Sequence, residues 1–315
     1  MDEAKIAKTE IEDTYAEAFR SLYAEVLVTA ASKYWLDQAI QTATGNASST
    51  IMCDCEAGLD RYIGLPDSNG TDEKTPDGRP GAILQFHVPR FRKDRVEALE
   101  KSLLVRISQN ILTCPTCACF NVMQDSETYF KMGRKIAFFG EGYQYRAEKF
   151  GRKGWVIPIL SGEFFIERRI GYQDGLMGGN LWLMGSSPEA ALRAAELGVE
   201  AAAKIPGVIM PFPGGVAASG SKAGSKYKFS IAGTYLDFCP SLKDKLGDQS
   251  RVPDGVVSIQ EIILNGKNLE TISRATQAAI QAMKDIPGLI KISAGNYGGR
   301  LGKSFIYLLP EKNKN

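Results

Sequence analysis

The C-terminal part of the chain repeats itself, and that constrains its fold more than any other feature. Residues 190–229 and 271–309 follow one design at a constant offset of 81. Apolar or small positions 191, 195, 198, 199 and 202 map onto 272, 276, 279, 280 and 283, the spacing of one helix face. Each helix runs into a Pro-Gly stop, Ile205-Pro206-Gly207 and Ile286-Pro287-Gly288. Proline cannot continue a helix, and glycine accepts the left-handed turn that ends one. A short β-branched run follows each time (208–210 and 289–293). Next comes a Gly-rich connection, carrying Gly214 and Lys222 in one copy and Gly295 and Lys303 in the other. Each copy then closes on an aromatic-rich strand. Two such helix–strand–turn–strand units are expected to pair into one antiparallel α+β layer.

The first half reads similarly. Strands are expected over 25–30, 50–54, 82–88 and 134–139, with helices over 33–44 and 93–111 and a polar Asp-, Gly- and Pro-rich loop over 66–80. The second half gives strand 181–184, helix 188–204, strands 208–211, 226–232 and 256–264, helix 268–284, and strands 289–294 and 303–309. The order β-α-β-β-α-β is the ferredoxin-like arrangement. At 315 residues a chain has room for roughly two domains. The expected fold class is α+β: two ferredoxin-like lobes arising from internal duplication, 1–155 and 156–315, joined near 145–180.

Charge excludes one class of partner. With 38 basic and 36 acidic residues the net charge is +2, too balanced for a nucleic-acid-binding face. No apolar run approaches the roughly 20 residues of a membrane span. The acidic, charged N-terminus is unlike a secretory signal, so a cytoplasmic enzyme without membrane attachment is expected.

Six cysteines stand at 53, 55, 114, 117, 119 and 239. In a cytoplasmic chain these read as free thiols. Cys114-Pro-Thr-Cys117 lacks a second well-spaced ligand pair, because Cys53-Asp-Cys55 is tight, so no metal is expected.

Two glycine motifs mislead. In the segment 298–304, GGRLGKS, Tyr297 stands where a phosphate loop needs its first glycine, and a strand follows where that loop must open a helix. Gly175-Leu-Met-Gly178-Gly179 likewise leads into a strand and is no dinucleotide fingerprint. The single histidine, His87, falls on the face of Ile83 and Gln85 and reads as solvent-facing or packed under a loop. Nothing near it resembles a nucleophile elbow, which leaves proton transfer to a carboxylate, lysine or tyrosine.

One carboxylate resists a bland explanation. Within 256–264, alternation sets Glu261 on the face of Val257, Ile259 and Ile263. A carboxylate among apolar side chains loses hydration, its pKa rises, and it can hold a proton near neutrality. The competing reading is an edge strand wet on both faces. Glu163, after Gly162, is a weaker case of the same kind. Pro211-Phe212-Pro213-Gly214-Gly215, followed by Ser219, Ser221, Lys222, Ser225 and Lys226, is dense in donors. It reads either as a ligand loop or as an ordinary polar one, glycine allowing close backbone approach.

Glu12-Asp13-Thr14-Tyr15-Ala16-Glu17-Ala18-Phe19, Thr75-Pro76-Asp77-Gly78-Arg79-Pro80-Gly81 and Leu112-Thr113-Cys114-Pro115-Thr116 are motifs of one enzyme family. So are PFPGGVAASGSKAGSKYKF (211–229), FCPSLKD (238–244) and SAGNYGGRLGK (293–303). On these the chain resembles formylmethanofuran:tetrahydromethanopterin formyltransferases, from residue 11 to 303. The resemblance implies two ferredoxin-like lobes and transfer of a formyl group from methanofuran to N5 of tetrahydromethanopterin in one-carbon metabolism (methanogenesis). It also implies no prosthetic group or metal, and dimers or tetramers. It makes Glu261 the catalytic carboxylate. Gly214, Gly215, Ser219, Lys222, Lys226, Asn296 and Tyr297 are implied near the carriers, with Gln109, Thr113 and Pro115 weaker candidates. Cys117 and Cys119 depart from the family's pattern, and 66–74 reads as a longer insertion than usual. The resemblance leaves open a subunit of a bacterial formyltransferase/hydrolase complex. A non-catalytic cofactor-binding scaffold is the reading from another class, and the presence of Glu261 argues against it.

Overall fold

The computed structural model describes residues 8–65 and 73–309, which divide into two units, 20–65 with 73–175, and 8–19 with 176–309. The division falls at 175/176 rather than 155/156, and the first residues join the C-terminal unit. The cause is a long strand, β1 (Tyr15–Thr29), whose first residues pair with the last strand of the chain: Ala18 lies opposite Ser304 and Tyr15 opposite Tyr307.

In the 20–175 unit, β1 is followed by α1 (Lys33–Thr44), β2 (Glu56–Ile63), β3 (Gly81–Pro89), α2 (Arg95–Arg106) and β4 (Ala118–Asn121). The strand order is β4-β1-β3-β2, with every neighbour antiparallel. Leu36, Ala39, Ile40 and Ala43 of α1 and Leu99 and Leu103 of α2 pack with Val26, Leu84 and Phe86 into one core. A short α3 (Met132–Ala137) and a meander, β5 (Tyr145–Lys149), β6 (Arg152–Ile159) and β7 (Gly162–Glu167), complete the unit. The meander joins the sheet where Ile166 lies opposite Cys119.

Three expectations fail here. Residues 50–54 are a turn, not a strand, because the Glu56 carboxylate accepts from the Thr50 N–H at 3.0 Å and folds the segment back. Residues 134–139 lie in α3 and the 3₁₀ turn after it, burying Met132, Ile136 and Ala137 at helical spacing. The fourth strand is β4, only four residues long and hidden in the cysteine cluster. The third failure is His87. Every residue of β3 is buried, so the wet face expected for His87 does not exist. Its ring is 0% exposed, hydrogen-bonds Ser21 and Gln85 at 3.0 Å each, and stacks on Tyr23. Burial pulls its pKa down to about 3. Of the polar loop expected over 66–80, and of the insertion read at 66–74, residues 66–72 lie outside the described residues.

The other unit runs β8 (Gln173–Gly185), α4 (Pro188–Ala202), β9 (Val208–Ile209), β10 (Val216–Ala217), β11 (Ser221–Ala223), β12 (Ala232–Thr234), β13 (Ser258–Gly266), α5 (Leu269–Met283), β14 (Leu289–Ser293) and β15 (Ser304–Tyr307). Its strand order is β14-β8-β13-β9, again antiparallel throughout. The two helices begin alike. Ser187 caps α4 through the Ala190 N–H and Asn268 caps α5 through the Thr271 N–H, each side-chain oxygen satisfying an orphan donor. They also end alike, with Gly207 (φ 92°) and Gly288 (φ 83°) left-handed. Their apolar faces meet Leu181, Leu183, Ile262 and Leu264 from the sheet.

The first copy departs from the expected pattern after its helix. β9 and β10 both lie along β13 but are separated by a 3₁₀ turn, Pro213–Gly215. Pro211 and Pro213 have no N–H to give a ladder, so the edge strand breaks there. The strand expected over 226–232 is a turn, and a small hairpin of β11 and β12 stands in its place.

Candidate functional site

Glu261 sits in the middle of β13, opposite Trp182 of β8 and Ala217 of β10. Side chains alternate along a strand. Ile262 and Leu264 therefore point to the helices, while Glu261 shares the other face with Ile259. That face is not open. Trp182, Met184, Val252 and Val256 form a second apolar cluster on it, with Tyr235 and Phe238 packed against them. The expected apolar surroundings are thus present, and Glu261 is 7% exposed.

Its Oε1 accepts from Asn180 Nδ2 at 2.7 Å and from Trp182 Nε1 at 3.0 Å. Burial raises the carboxyl pKa, and the two hydrogen bonds only partly oppose it. Oε2 receives no hydrogen bond from a described residue, so one oxygen is anchored and the other is available. Asn180 uses its remaining atom as well, its Oδ1 accepting from the Gly295 N–H at 2.9 Å. One amide thereby ties the carboxylate to the Gly-rich connection.

Beside this pair is a cavity of about 640 Å³, walled by Trp182, Tyr235, Phe238, Gly295, Asn296 and Tyr297, with Lys222, Arg251 and Lys291 on its lining. Lys291 is paired with Glu10 and Glu12, and Arg251 with Asp237. Lys222 makes no ion pair among the described residues and lies over the Tyr235 ring at 5.8 Å. The hydroxyls of Tyr235 and Tyr297 hydrogen-bond each other. Burial raises both phenol pKa values, and the charge of Glu261 adds to the effect.

Of the residues singled out in the sequence, Lys222, Asn296 and Tyr297 line the cavity, and Glu261 does not but accepts from Trp182, which does. Gly214 and Gly215 stand at the break beside the Glu261 strand, at φ 61° and 80°. A Cβ on Gly215 would meet Val199 at 2.8 Å. Ser219 and Lys226 are exposed, Ser219 hydrogen-bonding Ser221 and Lys226 lying over Tyr227, and neither lines the cavity. Gln109, Thr113 and Pro115 belong to the other unit. Gln109 lies on a π turn, Ile107–Ile111, that ends α2, and its carbonyl accepts from the Thr113 hydroxyl at 2.7 Å. Among the described residues, no three His, Cys, Asp or Glu come together as a metal site would require. Cys117 and Cys119 are buried thiols whose pKa burial raises.

The comparisons bear on what such a cavity serves. Residues 4–159 match the family "Formylmethanofuran-tetrahydromethanopterin formyltransferase", and residues 162–310 match its proximal lobe. The chain belongs to this formyltransferase family. It is 47% identical to the formylmethanofuran–tetrahydromethanopterin formyltransferase of Methanosarcina mazei over 95% of this chain and 97% of that one. With the Archaeoglobus fulgidus enzyme of the same name it shares 44% identity, covering 96% and 98%. The solved formyltransferase of Methanosarcina barkeri superposes with a TM-score of 0.87 at 46% identity, covering 95% and 97%. The formyltransferase/hydrolase complex of Methylorubrum extorquens, solved with methylofuran, gives 0.84 at 37% identity, covering 95% of each chain.

Within this formyltransferase-family chain, sequence reading missed Asn180, Trp182, Tyr235 and Glu17. Trp182 was visible only as part of a strand, and its place opposite Glu261 depends on strand register. Glu17 lies in a quoted motif but announces nothing. Its role shows only in space, where the Tyr297, Gly299, Leu301 and Gly302 N–H groups all point at its carboxylate.

Proposed function

We propose that this protein transfers a formyl group directly from formylmethanofuran to N5 of tetrahydromethanopterin, with Glu261 as the proton carrier. The observation that carries the reading is one buried carboxyl hydrogen-bonded to Trp182 in the wall of the cavity of about 640 Å³, in a chain of this family. Attack of N5 on the formyl carbon gives a tetrahedral intermediate, and its collapse breaks the bond to the methanofuran nitrogen. One proton leaves N5 and one reaches the departing amine. A carboxyl whose pKa burial has raised can do both in turn. Holding the carriers in line can supply roughly 7–11 kcal/mol of the barrier. A donor on the developing oxyanion adds about 2.7–4 kcal/mol.

Two carbon carriers without a prosthetic group suffice for this chemistry. Lys222, Asn296 and Tyr297 contact the carriers, Gly214 and Gly215 give them close backbone approach, and Ser219, Lys226, Gln109, Thr113 and Pro115 are outer candidates. Each lobe is read as ferredoxin-like, the pair arising by duplication. The strand orders β4-β1-β3-β2 and β14-β8-β13-β9, each with helices after its first and third strands, support that reading. The reading extends to a cytoplasmic homo-oligomer, dimer or tetramer. No described helix is long and apolar enough to cross a membrane.

The test is an ultraviolet assay of the purified protein with both carriers, where absence of turnover refutes the reaction. Likeness to the Methylorubrum complex favours one second reading, a subunit of a hydrolase-containing assembly. Co-purification of the tagged chain from its native cells with a hydrolase would select it.

A further inference from the structure

We infer that Glu17 is a positioning residue for the cavity: an internal anion that holds the 297–302 loop in the shape that presents Asn296 and Tyr297. The inference rests on the proposed formyl transfer. Glu17 is 0% exposed. Its Oε1 accepts from the N–H groups of Tyr297 at 2.6 Å and Gly299 at 2.7 Å, and its Oε2 from those of Leu301 at 2.9 Å and Gly302 at 3.3 Å. Burial alone would raise the carboxyl pKa, but the four backbone donors outweigh it and hold Glu17 ionised, below the usual carboxylate range.

Converging backbone N–H groups in a Gly-rich turn form a nest of the sort that elsewhere binds phosphate. Here the anion belongs to the chain. That accounts for a segment, GGRLGKS, that looks like a phosphate loop yet leads into a strand, since its donors are already taken. Gly298 and Gly299 supply the left-handed backbone the nest needs, at φ 67° and 73°. Lys303 closes the other side by donating to the Gly299 carbonyl at 2.7 Å. Gly295, Asn296 and Tyr297, on the N-terminal arm of this loop, line the cavity. Asn180 holds Gly295 and Tyr235 meets the Tyr297 hydroxyl, while the Glu17 carboxylate fixes the backbone that follows from Tyr297 onward.

An amide cannot replace that carboxylate. Whichever way a glutamine turns, its NH₂ faces two N–H donors. In full-length Glu17→Gln, hydrogen exchange at the amides of 297, 299, 301 and 302 is expected to quicken at least about tenfold. Below the melting transition, KM for at least one carrier is expected to rise about tenfold or more, with kcat within about threefold. A residue that only stabilised the fold would lower the melting temperature and leave KM alone. Unchanged loop exchange, or unchanged KM in the folded variant, overturns the inference.

Should Glu17→Gln fail to fold, Gly299→Ala decides the matter. It leaves Glu17 in place, and its Cβ finds room, 3.5 Å from Phe305, but it strains the left-handed turn. The same rise in KM is expected, and a wild-type KM overturns the inference. The two hypotheses fail separately. An inactive wild type refutes the reaction, whereas an active wild type whose variants keep its KM refutes only the positioning role.

Discussion

Glu261 meets two opposed demands, and its substitution should separate them. As a proton carrier it needs the carboxyl, so Glu261→Gln should lower kcat by about 10²–10⁴-fold while KM moves little, the amide keeping the shape. A steady-state assay returning a rate within about threefold of wild type would make Glu261 structural. As a buried group it costs stability. Its folded pKa lies above the unfolded value, so the folded state is favoured below the unfolded pKa and loses ground as pH rises through the folded pKa. Glu261→Gln should therefore melt higher than wild type at neutral and alkaline pH, with the gain vanishing in acid. Scanning calorimetry across pH would read this. His87 has the opposite sign. Its folded pKa of about 3 lies below the ordinary histidine value of 6.5. The unfolded chain thus takes up a proton that the native one refuses, and stability falls as pH drops from about 6.5 toward 3. The slope is about 1.4 kcal/mol per pH unit. Urea melts should show a flatter acid limb in His87→Asn.

Helices were legible as elements because their signals are local. The spacing of 191, 195, 198 and 202 and the stops Gly207 and Gly288 all lie within a few residues of the structure they decide, and the caps Ser187 and Asn268, equally local, appear with the structure. Each cap should be worth about 1 kcal/mol, so Ser187→Ala and Asn268→Ala should each lower the unfolding free energy by about that much. A loss below a few tenths would show that tertiary packing, not the cap, sets the helix start. Strands were read less well, since a strand is fixed by its neighbours. β4 is four residues that look like part of a cysteine motif, and only its place beside β1 makes it a strand. The turn at 50–54 has a strand's composition, but Glu56 reaches back to it. Burial of His87 follows from β3 lying inside its sheet, which no alternation pattern reports.

At the scale of the whole molecule, the site was legible where its residues lie in one motif and illegible where register assembles it. Asn296 and Tyr297 could be picked from their loop. Trp182 and Asn180 needed β8 laid against β13, and Glu17 needed β1 laid under the 297–302 loop. Phe138, Phe139, Tyr143 and Leu160 on one unit, and Tyr227, Phe229 and Ile231 on the other, are large apolar side chains left exposed, and the proposed homo-oligomer would cover some of them. Light scattering should give a multiple of the 34.3 kDa chain mass. A fully active particle of one chain mass would refute the oligomer. Register also carries a consequence for symmetry. Leu181 lies opposite Ile262, and those positions differ by the repeat offset of 81, so a local two-fold axis passes between them. Asn180 and Glu261, one step earlier in each copy, are then mates about that axis, and they touch. Two glutamates so placed would contend for one proton, and two asparagines would have none to pass. A single acid at this spot is thus possible only where the two halves have ceased to be alike.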